Sequence, residues 1–456
     1  MVFAPNSLHA RDMAYVLHGH TNLKQHGSDG PSIITRGEGV YVTDDQGRRY
    51  LDGMAGLWCA SLGFSEQRLA DAAARQFAEL PYYHSHGNTS HPRAIDLAER
   101  LIAMSPVPMS KVFFSNSGSE SNDTAIKLTW YYNNALGRTE KKKIIGLEQG
   151  YHGVTIGAAS LSGSPAMHQD FDLPLPRFLH TDCPHFYSRQ YVDDSEEEFA
   201  TRCAERLERL ILEEGPETVA AFIAEPIQGA GGAVVPPRTY FQKIQQVLRR
   251  YDILFIVDEV ISGFGRTGNM FGTETFDLKP DMITFAKGLS AGYQPIAALM
   301  VSEAIYDAAV TQSEKIGVFG HGFTNSAHPV CAAVALETLN IYEERDIVGH
   351  VQRVGPLLQK ALRQFADHPL VGDVRGLGLI AGVELVEDKT TRMPFPAERG
   401  VGALFTRHAE ENDLLLRVRD HVVPFCPPLI IEEDEITLLV ERFEAALEAT
   451  WVALRV

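Results

Sequence analysis

The 456-residue chain has little of what marks several large protein classes. Basic residues are outnumbered, 41 against 59 acidic ones, for a formal net charge of −18. A phosphate-backbone binder needs a surplus of Lys and Arg on one face, so the balance argues against nucleic acid as a partner. Cysteine is sparse: Cys59, Cys183, Cys203, Cys331 and Cys426 are odd in number, scattered and without a CxxC pair. A disulfide framework or structural zinc site is not expected, and a reducing cytoplasm fits best. No apolar run approaches the ~18 residues that span a bilayer. The opening MVFAPNSLHARDMAYVLHGH has no basic stretch followed by an apolar one, so it does not read as a signal peptide. There is no repeat, no low-complexity tract and no Walker A sequence. The 17 histidines include no HExxH, and His84-Ser85-His86 brings no obvious further ligand, so no catalytic metal is expected.

What remains is an ordinary globular composition, 45% hydrophobic and 22% charged. At roughly 150 residues per domain the length allows two or three domains and is that of an enzyme. Short apolar runs at Lys111–Phe114, Lys143–Leu147, Val219–Ala224, Ile253–Val257 and Met282–Ala286 predict strands buried on both faces of a mainly parallel sheet. Helices are predicted between them at Ser121–Asn134, Phe199–Glu214 and Pro237–Tyr251, the last with prolines in its first turn. The acidic run from Asp193 to Glu198 reads as the solvated start of a helix. Residues 33–52 predict a hairpin around Asp44-Asp45-Gln46-Gly47, and long amphipathic helices follow from Ala332. The expectation is a large central α/β domain with a smaller α+β domain from both chain ends, divided as 1–59, 60–331 and 332–456.

Ligands of open parallel sheets bind beyond the carboxyl ends of the strands. There ILFIV delivers Asp258-Glu259, MITFA delivers Lys287, AAFIA delivers Glu225 and KVFF leads into Ser115-Asn116-Ser117-Gly118-Ser119. A lone lysine after a strand is usually a surface residue. Here it stands between an apolar strand and a glycine, 29 positions after an acid that ends another strand. A desolvated amine loses part of its usual pKa of ~10.4 and can form a Schiff base. Ser117-Gly118-Ser119 before a helix is either an ordinary N-cap or a phosphate cradle. Cradle, amine and acid together are what pyridoxal phosphate requires, the acid keeping the pyridine nitrogen protonated.

The runs DGMAGLWC (52–59), NSGSESND (116–123), GYHG (150–153), EPIQGAGG (225–232), DEVISGFGRTG (258–268), AKGLSAGYQPI (286–296) and HGFTNSAHP (321–329) resemble those of class III aminotransferases, fold type I pyridoxal-phosphate enzymes. Within that class the chain is most similar to omega-aminotransferases of the amine:pyruvate and beta-alanine:pyruvate types. The resemblance implies a large domain with a mainly parallel seven-stranded sheet and a homodimer, or a tetramer made of two such dimers. Lys287 would be the Schiff-base lysine and, once freed, the general base, with Asp258 at the pyridine nitrogen. Ser117, Gly118 and Ser119 would hold the phosphate, joined by Thr324 from the other subunit. Tyr151 and Val260 would flank the ring, with His152 at its side and Glu225 in its hydrogen-bond surroundings. Arg417, rather than the neighbouring Arg419, would bind the acceptor's carboxylate, and Trp58 would shape the pocket opposite.

The chain departs from the better-known amine:pyruvate members where they commonly carry aromatics. It has His86-Gly87 after the ELP-aromatic-Tyr stretch, and His20 replaces an N-terminal phenylalanine. Both positions are expected to line the donor's pocket and make it more polar. The implied activity is amino transfer (EC 2.6.1.-) from a primary amine or omega-amino acid to pyruvate, giving alanine, with the cofactor cycling through pyridoxamine phosphate. Alternatives are a 2-oxoglutarate-linked enzyme of the 4-aminobutyrate or ornithine type, and a lyase or mutase on the same fold. The expected partners are these small molecules and a second copy of the chain, with no membrane and no nucleic acid.

Overall fold

The computed structural model describes residues 4–455, so residues 1–3, where the N-terminal reading begins, and residue 456 lie outside the described residues. A seven-stranded sheet occupies the centre. Its strands are β1 (Lys111–Ser115), β2 (Lys143–Leu147), β3 (Phe178–Thr181), β4 (Val219–Ala224), β5 (Leu254–Asp258), β6 (Met282–Phe285) and β7 (Ala297–Val301), in the order β1-β7-β6-β5-β4-β2-β3. All neighbours run parallel except β7, which is antiparallel to both β6 and β1. The carboxyl ends of β1, β4, β5 and β6 therefore share one edge. Every residue of β4, β5, β6 and β7 is buried, as expected of strands covered by helices on both faces.

Five of these strands coincide, within a residue at either end, with the apolar runs. Two escaped them for physical reasons. β7 follows β6 through a short 3₁₀ turn, Lys287–Ser290, so no helix announces it. β3 is a half-buried edge strand of four residues without periodicity. Helix starts also move. Ser117 caps Gly118–Ala135, accepting from Glu120 N at 3.2 Å, so that helix begins three residues before the predicted Ser121. A capping box between Ser195 and Glu198 starts the next helix at Glu196. Pro236 and Pro237 precede the helix Tyr240–Arg250 instead of forming its first turn; they shape a turn closed by Tyr240 N to Pro237 O.

The predicted hairpin is part of a meander, Ile34–Glu38, Tyr41–Asp44 and Arg49–Asp52, and Leu414–Leu415 adds in parallel to its last strand. A second small sheet joins Val371–Leu377, Ile380–Leu385 and Val422–Phe425. The helix Pro329–Glu344 runs unbroken through positions 331 and 332, so no linker separates the central sheet from the C-terminal elements. Among the described residues no helix is long and apolar enough to cross a membrane.

Glu259, fully buried behind the floor of the sheet edge, ties down the following loop. Its carboxylate accepts from Ser262 Oγ (2.7 Å), Gly272 N (3.0 Å), Thr273 N (2.5 Å) and Thr273 Oγ1 (2.7 Å). Glu259→Ala should strand these donors and destabilise the fold by on the order of 3 kcal/mol, read as a lower urea midpoint.

Candidate active site

The strand edge opens into a cavity of about 790 Å³, large enough for a cofactor together with a substrate. Asp258 ends β5 and pairs in register with Thr284 of β6, which places Lys287 three residues beyond that partner. Lys287 has φ 44°, and its Nζ sits 5.1 Å from the centroid of the Trp58 ring. Burial pushes the amine below its ordinary value, while Asp258 and Glu225 pull it partly back. The turn carrying Lys287 is held from behind by Tyr342. Its O–H donates to Gly288 O (2.6 Å) and lies 2.6 Å from Ser61 Oγ.

Asp258 is 3% exposed and firmly oriented. One oxygen receives His152 Nδ1 and Asn122 Nδ2, each at 2.8 Å, and the other receives Val260 N at 3.0 Å. His152 thus acts on the acid directly. Asn122 was not singled out from the sequence, although it lies in the NSGSESND run. Only the phase of the helix from Gly118 reveals that it turns inward toward Asp258.

Glu225, one residue past β4, accepts from Tyr151 N and Gly229 N, each at 3.0 Å. Burial pushes its carboxyl up to about 7, with the His152 ring pulling the other way and Asp258 adding to the rise. It fixes the backbone that presents Tyr151. Tyr151 and Val260 both line the cavity, and burial raises the Tyr151 phenol above its ordinary value.

At the anion end, the first-turn amides of Gly118 and Ser119 have no intrahelical acceptor, as at any helix start. Ser117 and Ser119 line the same corner, Ser119 Oγ accepting from Val154 N at 3.0 Å. A Cβ on Gly118 would come within 3.1 Å of Val260 Cγ2, so a side chain at this position would press on Val260. Ser117 is therefore an N-cap and a cavity residue at once. The free amides, the hydroxyls, the oriented acid and the desolvated amine fit pyridoxal phosphate.

The opposite wall comes from the small sheet. Asp52 accepts from Met54 N (2.8 Å) and Gly56 N (2.6 Å), setting the tight turn in which Trp58 takes φ 57°. Leu415 pairs with Asp52, so the same sheet delivers Arg417 to the cavity. Arg419 Nη1 donates to Ala230 O at 2.5 Å, whereas Arg417 makes no side-chain hydrogen bond or ion pair among the described residues. His20 also lines the cavity, its ring centroid 6.5 Å from that of Tyr151. His86 and Thr324 do not reach the cavity of their own chain. His86 Nε2 lies 3.0 Å from Phe323 O, and exposed Thr324 receives the Tyr82 hydroxyl at its carbonyl, 2.9 Å away.

The profile of the family Aminotransferase class-III matches residues 24–447. The chain belongs to the class III aminotransferases. It is therefore a pyridoxal-phosphate-dependent transaminase of fold type I. Gamma-aminobutyrate transaminase 1, mitochondrial, of Oryza sativa subsp. indica is 53% identical over 421 residues, covering 92% of this chain and 82% of the rice protein. The omega transaminase from Pseudomonas jessenii in complex with PMP matches with a TM-score of 0.97 at 54% identity, over 98% of this chain and 99% of that one. A transaminase solved with L-ala matches at 0.91 and 54% identity, over 92% of this chain and all of that one (100%).

Two outcomes follow from this geometry. Gly153 has φ 129°, and a Cβ there would collide with Ser119, so Gly153→Ala should weaken cofactor binding about tenfold or more, measured by equilibrium dialysis. A carboxyl raised from 4.5 to about 7 stabilises the fold fully below the unfolded value, a contribution lost as pH rises through about 7. Thermal melting of cofactor-free protein should show this decline between pH 4.5 and 7, and Glu225→Gln should flatten it.

Proposed function

We propose that this chain is an omega-aminotransferase that passes the amino group of a primary amine or omega-amino acid to pyruvate, in two half-reactions sharing one cavity. When bound, pyridoxal phosphate supplies a carbonyl that condenses with amines and a ring that takes up electron density from the substrate carbon. Lys287 would hold the cofactor and, with its amine free, would move the proton of the substrate carbon; its lowered pKa leaves more of the amine able to accept it. Asp258, fixed by His152 and Asn122, would offer its carboxylate to the ring nitrogen and keep it protonated. The Gly118 and Ser119 amides with the Ser117 and Ser119 hydroxyls would hold the phosphate, and Tyr151 and Val260 would hold the ring.

The observation carrying the choice of acceptor is the count of uncommitted cations. Lys287, Arg417 and Arg419 line the cavity; Lys287 serves the chemistry and Arg419 is tied to Ala230 O. Arg417 is left for one carboxylate, which suits a monocarboxylate such as pyruvate better than the dicarboxylate 2-oxoglutarate. A 54%-identical transaminase solved with L-ala supports the alanine–pyruvate pair. The gamma-aminobutyrate transaminases among the relatives support an omega-amino acid donor, whose single carboxylate Arg417 can also bind. His86 and Thr324, turned away from their own cavity on one surface, support a homodimer in which they complete the partner's site.

Initial rates with one amine donor and either keto acid test this reading. Pyruvate should exceed 2-oxoglutarate in kcat/KM by about 100-fold, whereas a preference for 2-oxoglutarate would move the enzyme to the other branch. Arg417→Leu should raise the KM for pyruvate about 10- to 100-fold, the worth of a hydrogen bond to a charged group, and leave a neutral amine within a few-fold. Lys287→Ala should abolish turnover with the fold intact.

A further inference from the structure

Away from the cavity, two groups of metal-ligating side chains converge among the described residues. In the first, His185, Asp373 and Glu384 already face a cation. Arg375 Nη1 lies 2.8 Å from Asp373 and 2.6 Å from Glu384 and fills the role a metal would take. The second has no such competitor. Asp12 comes from the helix Leu8–Tyr15, His18 from the loop after it and His26 from the helix Leu23–Asp29. Their ligand atoms all lie within 4.8 Å of one another. His18 Nε2 is 2.8 Å and His26 Nε2 3.5 Å from the same oxygen, Asp12 Oδ1. The two imidazole centroids are 4.3 Å apart. The His26 Nε2 atom is buried yet lacks a hydrogen-bond partner among the described residues, although it points at this oxygen. Asp12 pairs with no lysine or arginine among them.

Two imidazole nitrogens and one carboxylate suit a zinc-class ion, at bonds of about 2.0–2.2 Å, with water completing the shell. Ligand atoms around a tetrahedral ion at such bonds stand about 3.3–3.6 Å apart, so the His26–Asp12 separation already fits and the His18–Asp12 pair need only open by a fraction of an ångström to admit the ion. The loop they would fasten has little else to hold it. Val16 and Leu17 are 53% and 82% exposed, and His20, four residues past Val16, lines the active-site cavity beside Tyr151. The spacing Asp-x₅-His-x₇-His follows no familiar metal motif, so only the folded arrangement discloses the cluster.

We propose that Asp12, His18 and His26 form a binding site for a divalent transition-metal ion of the zinc class, which clasps the loop that carries His20 to the rim of the cavity.

The test titrates Zn²⁺ into cofactor-loaded full-length enzyme, freed of metal by dialysis against chelator, and reads stoichiometry and affinity by calorimetry. Wild type should bind one ion per chain at this site. His18→Gln and His26→Gln, which keep a polar side chain, should each weaken it by at least about tenfold while melting like wild type without metal. Zn²⁺ should also slow chymotryptic cleavage after Tyr15 and Leu17, which are 85% and 82% exposed, in wild type but not in the variants. No binding by wild type, or equal binding by all three proteins, would overturn the site. Binding by wild type with unchanged cleavage would overturn the clasp.

Discussion

An amine withdrawn from water opposite a buried carboxylate constrains everything built around it. Lys287 stands at the floor of the cavity, and its desolvation stays tolerable because Asp258 lies on the adjacent strand. Asp258 in turn needs partners of its own and has three: His152, Asn122 and the Val260 amide. Each of these sits on a different element. Shifting any one strand by a residue would invert its side chains and break the set, so the register of β5 against β6 is the foundation of the site.

The remaining architecture supplies two walls. One is the start of the helix from Gly118, where unpaired amides face the cavity and a glycine leaves space that Val260 would otherwise contest. The other comes from the small sheet, where Asp52 sets the turn of Trp58 and the neighbouring strand leads to Arg417. The cofactor end is thus built on the rigid central sheet. The far wall belongs to loops and to the two ends of the chain, His20 and Arg417 among them.

That the strand-end residues meet at one cavity was legible because buried parallel strands write themselves as short apolar runs, and their last residues lie at the sheet edge where ligands of such sheets bind. Asp258, Glu225, Lys287 and the Ser117–Ser119 turn could be read that way. Asn122 could not, because its inward direction depends on where Ser117 starts the helix. Tyr342 lies 54 positions from Gly288, whose carbonyl it holds, and only tertiary packing joins them. β7 was missed because an antiparallel return needs no crossover helix. His86 could be flagged as unusual by type, but its orientation toward Phe323 depends on the fold of a loop more than 200 residues later.

Mapping the residue that carries the cofactor tests the heart of this arrangement most directly. Borohydride reduction of the loaded enzyme makes that attachment permanent, and digestion followed by mass spectrometry locates it. The pyridoxyl group should appear on Lys287 at one per chain. Attachment to any other lysine, with Lys287 unmodified, would contradict the placement of the reaction centre at the ends of β5 and β6.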